Sequence, residues 1–89
     1  MAKNQDQKSL ENDLLDFINR RFLDTILING KKPSIREIAK KTNIGRSTID
    51  KILKKEGYDL PISTINKICT YANISLSKFF ENFEESLKS

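Results

Sequence analysis

The stretch IREIAKKTNIGRSTIDKILK, residues 35–54, decides the fold of this chain. Apolar residues recur at helical spacing in both of its halves: Ile35, Ile38, Ala39, Ile49, Ile52 and Leu53. This spacing predicts two short amphipathic helices that each turn one face to a core. Between them, Asn43 tolerates the left-handed conformation in which a helix ends and the chain turns. Ile44 is then predicted to return to the core before Gly45 or Arg46 opens the second helix.

Two short helices joined by a tight turn form the helix-turn-helix layout, in which the second helix enters the major groove of DNA. The predicted second helix covers about residues 45–55. Ser34, followed three residues later by Glu37, matches a capping box that fixes the start of the first helix. That start also offers free backbone N–H groups and the positive end of a helix dipole, which suit a phosphate.

The positive charge of the chain is concentrated on this motif. The net charge is +4, but residues 31–55 alone carry nine basic and two acidic side chains, whereas residues 1–30 and 56–89 are slightly acidic. We call residues 31–55 the basic segment. Lysines are commonly no more than the solvated face of a helix, and here the coincidence of charge and motif favours the interpretation that the segment faces DNA.

Composition limits the alternatives. A length of 89 residues suits one small domain. There is no apolar run of transmembrane length and no signal peptide, and a single cysteine with no histidine excludes zinc sites, histidine bases and an internal disulfide. We expect a cytoplasmic protein, associated with the nucleoid through DNA, that is not an enzyme and has no metal site, no cofactor and no membrane contact.

Before the motif, the sequence predicts a tail and one long helix. Residues 1–9 lack periodicity and are predicted to be a disordered tail, since Lys3 and Lys8 make a poor basic arm. A helix of about five turns is then predicted, with Ser9 or Asn12 as its cap and these residues on its apolar face: Leu15, Ile18, Phe22 and Ile26. Asn29-Gly30 is predicted to end this helix through a left-handed cap.

The apolar surface of this first helix is wider than one core needs, because the stripe is flanked by Leu14, Phe17, Leu23 and Leu27. Two interpretations stay open. These side chains either pad the bundle or contact a partner helix, and padding is favoured because scattered apolar surface residues are normal.

After the motif, the sequence predicts two more helices. Pro61 suits the opening of the fourth, whose apolar stripe includes Cys69 as a small core residue. Residues 72–75 repeat the turn device of residues 42–45, with Asn73 in the place of Asn43. The last helix has an apolar face made of Leu76, Phe79, Phe80 and Phe83. The predicted domain is therefore residues 10–85, followed by a short tail at 86–89.

Three blocks in this order resemble one family: IAKKTNIGRSTI at 38–49, LPISTINKIC at 60–69 and YANISLSKFF at 71–80. They are similar to the λ-repressor/Cro-like helix-turn-helix family, also called the XRE family, and the resemblance covers the chain after roughly its first ten residues. Asn43 stands where the family usually has glycine, and Thr42 where an apolar residue is usual. The resemblance implies an all-α, compact five-helix bundle that binds double-stranded DNA, commonly as a homodimer on a palindromic operator.

The helical face opposite Ile49, Ile52 and Leu53 points at the bases if the second helix lies in the groove. The predicted base-contacting residues are Arg46, Ser47, Thr48, Asp50, Lys51 and Lys54. Two roles are open to Asp50. Its carboxylate either accepts a hydrogen bond from a cytosine amine or orients Arg46 or Lys54 through an ion pair at helical spacing, and the second role is favoured. The predicted phosphate-contacting residues are Lys32, Ser34, Arg36, Lys40, Lys41, Gly45, Lys55 and Thr64.

We interpret the chain as a sequence-specific DNA-binding transcriptional regulator of the repressor or Cro type, or a fragment of a longer one. The resemblance implies a bacterial or phage origin. The alternative is a protein-interaction module that keeps the fold, such as an antitoxin or antirepressor, with a protein partner. Its supporting features are the wide apolar face of the first helix and the acidic end at residues 81–85.

Overall fold

The computed structural model describes residues 7–55 and 57–88. Within them the chain forms five α-helices and no strand, so the predicted all-α five-helix fold is confirmed. The helices are α1 Gln7–Ile18, α2 Ile35–Thr42, α3 Arg46–Leu53, α4 Ile62–Ala72 and α5 Leu76–Lys88. Helical structure thus reaches past both limits of the predicted domain 10–85, and residues 1–6 and 89 of the predicted tails lie outside the described residues.

The first helix differs from its prediction at its start. It begins at Gln7, so neither Ser9 nor Asn12 is its cap. Asn12 instead accepts a hydrogen bond, 3.1 Å long, from the backbone N–H of Gly57 to its Oδ1 atom. The side chain that was predicted to satisfy its own helix therefore binds the loop between α3 and α4.

The first helix also ends earlier than predicted. After Ile18 it widens into one π-helical turn, Asn19–Leu23, which closes with a 2.8 Å bond from the Asp24 N–H to the Asn19 carbonyl. The hydroxyl of Thr25 then donates to the Phe22 carbonyl at 2.8 Å, satisfying one of the last carbonyls of the helix. The helical stretch 7–23 is close to the predicted length of about five turns, but it ends before Ile26, which is buried as expected.

Asn29 and Gly30 have the predicted left-handed backbone, with φ of 53° and 77°, but they do not end a helix. They are the two central residues of a tight turn in which Ile28 and Lys31 exchange backbone hydrogen bonds of 2.9 and 3.0 Å. Positive φ at both central residues is what a type I′ turn requires, and Asn-Gly is its preferred sequence. Asn-Gly suits either a left-handed helix cap or a type I′ turn. Because the helix ends earlier than predicted, the dipeptide lies in the turn.

The helix-turn-helix forms as predicted. Ser34 and Glu37 make both hydrogen bonds of the capping box. The Glu37 N–H donates to the Ser34 hydroxyl at 3.2 Å, and the Ser34 N–H donates to the Glu37 carboxylate at 2.8 Å. Asn43 is left-handed with φ 61° and ψ 32°, and Ile44 is buried. The buried Thr42 hydroxyl donates to the Ile38 carbonyl at 2.8 Å, so its polar group is satisfied inside the core.

The conformation of Asn43 gives a testable prediction. Asn43→Gly should be neutral or stabilising because glycine adopts φ 61° without steric cost, whereas Asn43→Val should cost at least about 1 kcal/mol. Thermal melts followed by circular dichroism compare the two variants. Equal melting temperatures would contradict the left-handed assignment.

The turn between α4 and α5 repeats this arrangement, as predicted. Asn73 is left-handed with φ 61°, and the Ile74 N–H donates to the Cys69 carbonyl as the Ile44 N–H does to the Ala39 carbonyl. The hydroxyl of Ser75 accepts from the Lys78 N–H at 3.0 Å and caps α5. Local residue chemistry therefore fixes both of these turns.

Aromatic rings join the first and last helices. Phe17 is fully buried and lies 5.4 Å, centroid to centroid, from both Phe79 and Phe83. Leu23 is buried and Leu14 packs half-buried against the core, which supports the interpretation that they pad the bundle. Burial also raises the pKa of the Cys69 thiol, in keeping with its predicted role as a core residue.

Candidate nucleic-acid interface

The orientation of α3 follows from its buried face. Ile49 and Ile52 are completely buried, and Leu53 packs half-buried beside them. The predicted base-contacting residues all lie on the remaining faces: Arg46, Ser47, Lys51 and Lys54 are exposed, while Thr48 and Asp50 are half-buried. The structure therefore brings these six residues to the outer side of one short helix. Their contact with bases stays a prediction.

The charged side chains of α3 and its C-terminal cap differ in what they contact. Lys54 Nζ lies 3.3 Å from Asp50 Oδ2, which agrees with the orienting role favoured for this carboxylate. Lys51 Nζ lies 5.2 Å from the ring centre of Tyr58, a distance at which the cation and the ring attract each other. Arg46 has no partner in the part of the chain that the structure describes. Its guanidinium is thus the cation of α3 that is most available for a ligand.

The second helix of the motif, α3, is shorter than the predicted range of residues 45–55. Gly45 is its N-cap, Leu53 is its last residue and Lys54 is its C-cap. Lys55 has a left-handed backbone with φ 65°, and its N–H donates to the Ile52 carbonyl at 3.0 Å. Lys55 therefore belongs to the turn that follows α3, and its backbone cannot continue the helix.

Most predicted phosphate-contacting residues are exposed around α2 and the ends of α3: Lys32, Ser34, Arg36, Lys40, Lys41, Gly45 and Lys55. Thr64 does not share this surface, because its side chain is buried and its N–H already donates to the Pro61 carbonyl at 3.0 Å. Contact of these residues with phosphate stays a prediction.

The two acidic residues of the basic segment are both engaged. Glu37 accepts from the Ser34 N–H in the capping box, and Asp50 pairs with Lys54. No other acidic residue occurs between positions 31 and 55. The positive field of the segment is therefore open to solvent and to any anionic partner.

Asn19 was missed by the sequence analysis, although it positions α3. Its amide Nδ2 donates to the Ile52 carbonyl at 2.8 Å and to the Leu15 carbonyl at 2.9 Å, and the residue is buried. Together with the bond from Gly57 to Asn12, this ties α1 to the C-terminal end of α3. The sequence feature that could have revealed this role is the position of Asn19, four residues after Leu15 on the apolar stripe of the first helix.

Two features that would point to other kinds of site do not occur in the described residues. Across residues 7–55 and 57–88, no group of three or more histidine, cysteine, aspartate or glutamate side chains is placed to hold a metal ion. In the same part of the chain, no helix has both the length and the apolar character needed to cross a membrane.

Comparison with known families agrees with this geometry. The family model of the Cro/C1-type HTH DNA-binding domain matches residues 23–82, which is more than half of the chain, and the chain belongs to this family. The match takes in both turn motifs and leaves α1 outside, whereas the resemblance noted in the sequence began earlier. The protein is thus a DNA-binding regulator in general terms. No curated protein and no solved structure matches the chain significantly.

Proposed function

We propose that this domain binds double-stranded DNA in a sequence-specific manner, as a transcriptional regulator of the repressor or Cro type, with α3 in the major groove. The observation that carries the proposal is the coincidence of three features within residues 31–55. These are the net positive basic segment, the exposed polar face of α3, and the unpartnered Arg46 at its start.

Two kinds of contact follow from the positions of the side chains. Arg46, Ser47 and Thr48 occupy the first turn of α3. In a helix-turn-helix protein the first residues of the second helix reach base edges. An arginine there can bind guanine O6 and N7 with two hydrogen bonds, and serine and threonine hydroxyls accept or donate. The surrounding lysines of α2 and of the turn after α3 are proposed to bind phosphates, which position the protein without reading sequence.

Selection of bound sequences from random duplex DNA tests the proposal. A shared sequence should emerge, bound at least about a thousandfold more tightly than scrambled duplex at the same salt concentration. A palindromic sequence with half-sites about one helical turn apart would indicate that two copies bind together. If no shared sequence emerges, specific recognition is wrong.

Salt dependence tests the phosphate contacts. The logarithm of the association constant should fall linearly with the logarithm of salt concentration, and Lys40→Ala should reduce the slope by about 0.9, the contribution of one neutralised phosphate. Lys40 is exposed on α2, where alanine keeps the helix intact. The affinity of Lys40→Ala for the selected duplex and for the scrambled duplex should fall by the same factor, because a phosphate carries no sequence information.

Lys78→Ala is the matched control for that measurement, since Lys78 is an exposed lysine on α5, outside the basic segment. Its slope should equal that of the parent protein. Binding that does not respond to salt, or no binding to any duplex, would contradict the DNA proposal.

The alternative is a protein-interaction module, such as an antitoxin or antirepressor, that keeps the fold. Of the residues that widen the apolar surface of the predicted first helix, Leu14, Phe17 and Leu23 belong to the core or pack against it, whereas Leu27 is 59% exposed and accessible to a partner. The acidic residues near the end of α5 remain in its favour, since Glu81, Glu84 and Glu85 are exposed. Co-purification with a protein partner, without retention on heparin or a shift of duplex DNA, would support the alternative.

A further inference from the structure

The turn before α2 is exposed and carries two lysines at its end. Ile28 and Lys31 are joined by two backbone hydrogen bonds, and Asn29, Gly30, Lys31 and Lys32 are all exposed. We call residues 28–32 the basic turn. A side chain attached to such a fixed backbone loses less conformational freedom on binding than one on a loose loop.

The basic turn borders grooves that it shares with both helices of the helix-turn-helix. At one end, Ile28 borders a shallow groove with Glu37, Lys40 and Lys41 of α2. At the other end, Lys32 borders an apolar groove that it shares with Leu53, the last residue of α3. The turn therefore lies beside the proposed DNA-binding surface and has a defined place relative to α3.

The charge of the basic turn is not neutralised by the described residues. Neither Lys31 nor Lys32 has an ion-pair partner among them. Glu37 is the acidic residue that borders the groove beside Ile28, and its carboxylate already accepts from the Ser34 N–H. Asp24 borders the groove that contains Lys32 but forms no ion pair with it among the described residues.

We propose that the basic turn is a second DNA-binding element, separate from α3, and that Lys31 binds a backbone phosphate of the duplex. This inference rests on the proposed function and adds a residue and an element to it. The partner is a phosphodiester group of double-stranded DNA, because a compact ammonium group binds phosphate as a point charge. The contact adds affinity and orients the domain without reading bases.

Lys31→Gln tests the role of the charge. The substitution removes the charge, keeps a polar side chain that is one atom shorter, and leaves intact the turn, whose hydrogen bonds come from the backbone. The salt slope of duplex binding should fall by about 0.9, with the same loss on selected and scrambled duplexes. Lys31→Arg should keep the slope of the parent protein, and Lys78→Gln, at an exposed lysine of α5, should behave like the parent.

A scan with methylphosphonates, which are uncharged phosphate replacements, tests the position. At one backbone position, replacing the phosphate should weaken binding of the parent but not of the Lys31→Gln variant. That position should lie outside the base pairs that α3 contacts. An unchanged slope for Lys31→Gln, or the absence of such a position, would overturn the inference while the parent still binds duplex DNA. If the parent itself shows no salt-dependent binding to duplex, the proposed function fails first.

Discussion

Ile49→Ala should lower the free energy of unfolding by about 2–5 kcal/mol, the range for removing a large buried aliphatic side chain. Ile49 is completely buried and belongs to the core face of α3. The loss is a large part of the total stability of a small domain, which is roughly 5–15 kcal/mol. Chemical unfolding followed by circular dichroism measures it directly.

The functional consequence of Ile49→Ala should be indirect. At a temperature where the variant is still folded, its affinity for the selected duplex should match that of the parent. Ser47→Ala provides the matched comparison for stability, because Ser47 lies on the same helix with its side chain exposed. If Ile49→Ala melts like the parent, α3 is rotated from the orientation described here.

Arg46→Ala should do the opposite, leaving the fold intact and relaxing sequence preference. If Arg46 makes a bidentate contact with guanine, the loss on the selected duplex should be about 1–3 kcal/mol at particular base pairs. Arg46 is exposed in the first turn of α3 and has no partner among the described residues, so its removal leaves no buried group unpaired.

The comparison with scrambled duplex separates the two roles available to Arg46. Removing a base contact lowers the affinity for the selected duplex only. Removing a phosphate contact lowers the affinity for both duplexes by the same factor. Equal losses would assign Arg46 to the phosphate backbone and contradict its proposed role. A melting temperature equal to that of the parent is the control for folding.

Local chemistry explains why the central motif could be predicted from sequence. The Ser34–Glu37 capping box and the left-handed Asn43 and Asn73 depend on residues within about four positions of one another. The buried and exposed sides of α3 follow from helical periodicity alone. These features were predicted because no distant residue is needed to specify them.

The errors came from contacts between distant parts of the chain. The π-helical turn begins at Asn19, whose side chain bonds to Ile52, a residue 33 positions away. Apolar periodicity alone cannot show where α1 stops, and the structure of Asn29-Gly30 depends on that end point. The Lys51–Tyr58 contact and the left-handed Lys55 likewise depend on the path of the loop after α3.

The most direct test of the central claim is a scan of the selected duplex with base analogues that change one groove at a time. A 7-deazapurine removes the N7 acceptor from the major groove, whereas inosine removes the guanine amino group from the minor groove. We expect 7-deazapurines to weaken binding of the parent at defined positions and inosine to leave it unchanged. The Arg46→Ala variant should be insensitive to 7-deazapurine at one of those positions. Loss of affinity with inosine alone, or with neither analogue, would contradict the placement of α3 in the major groove.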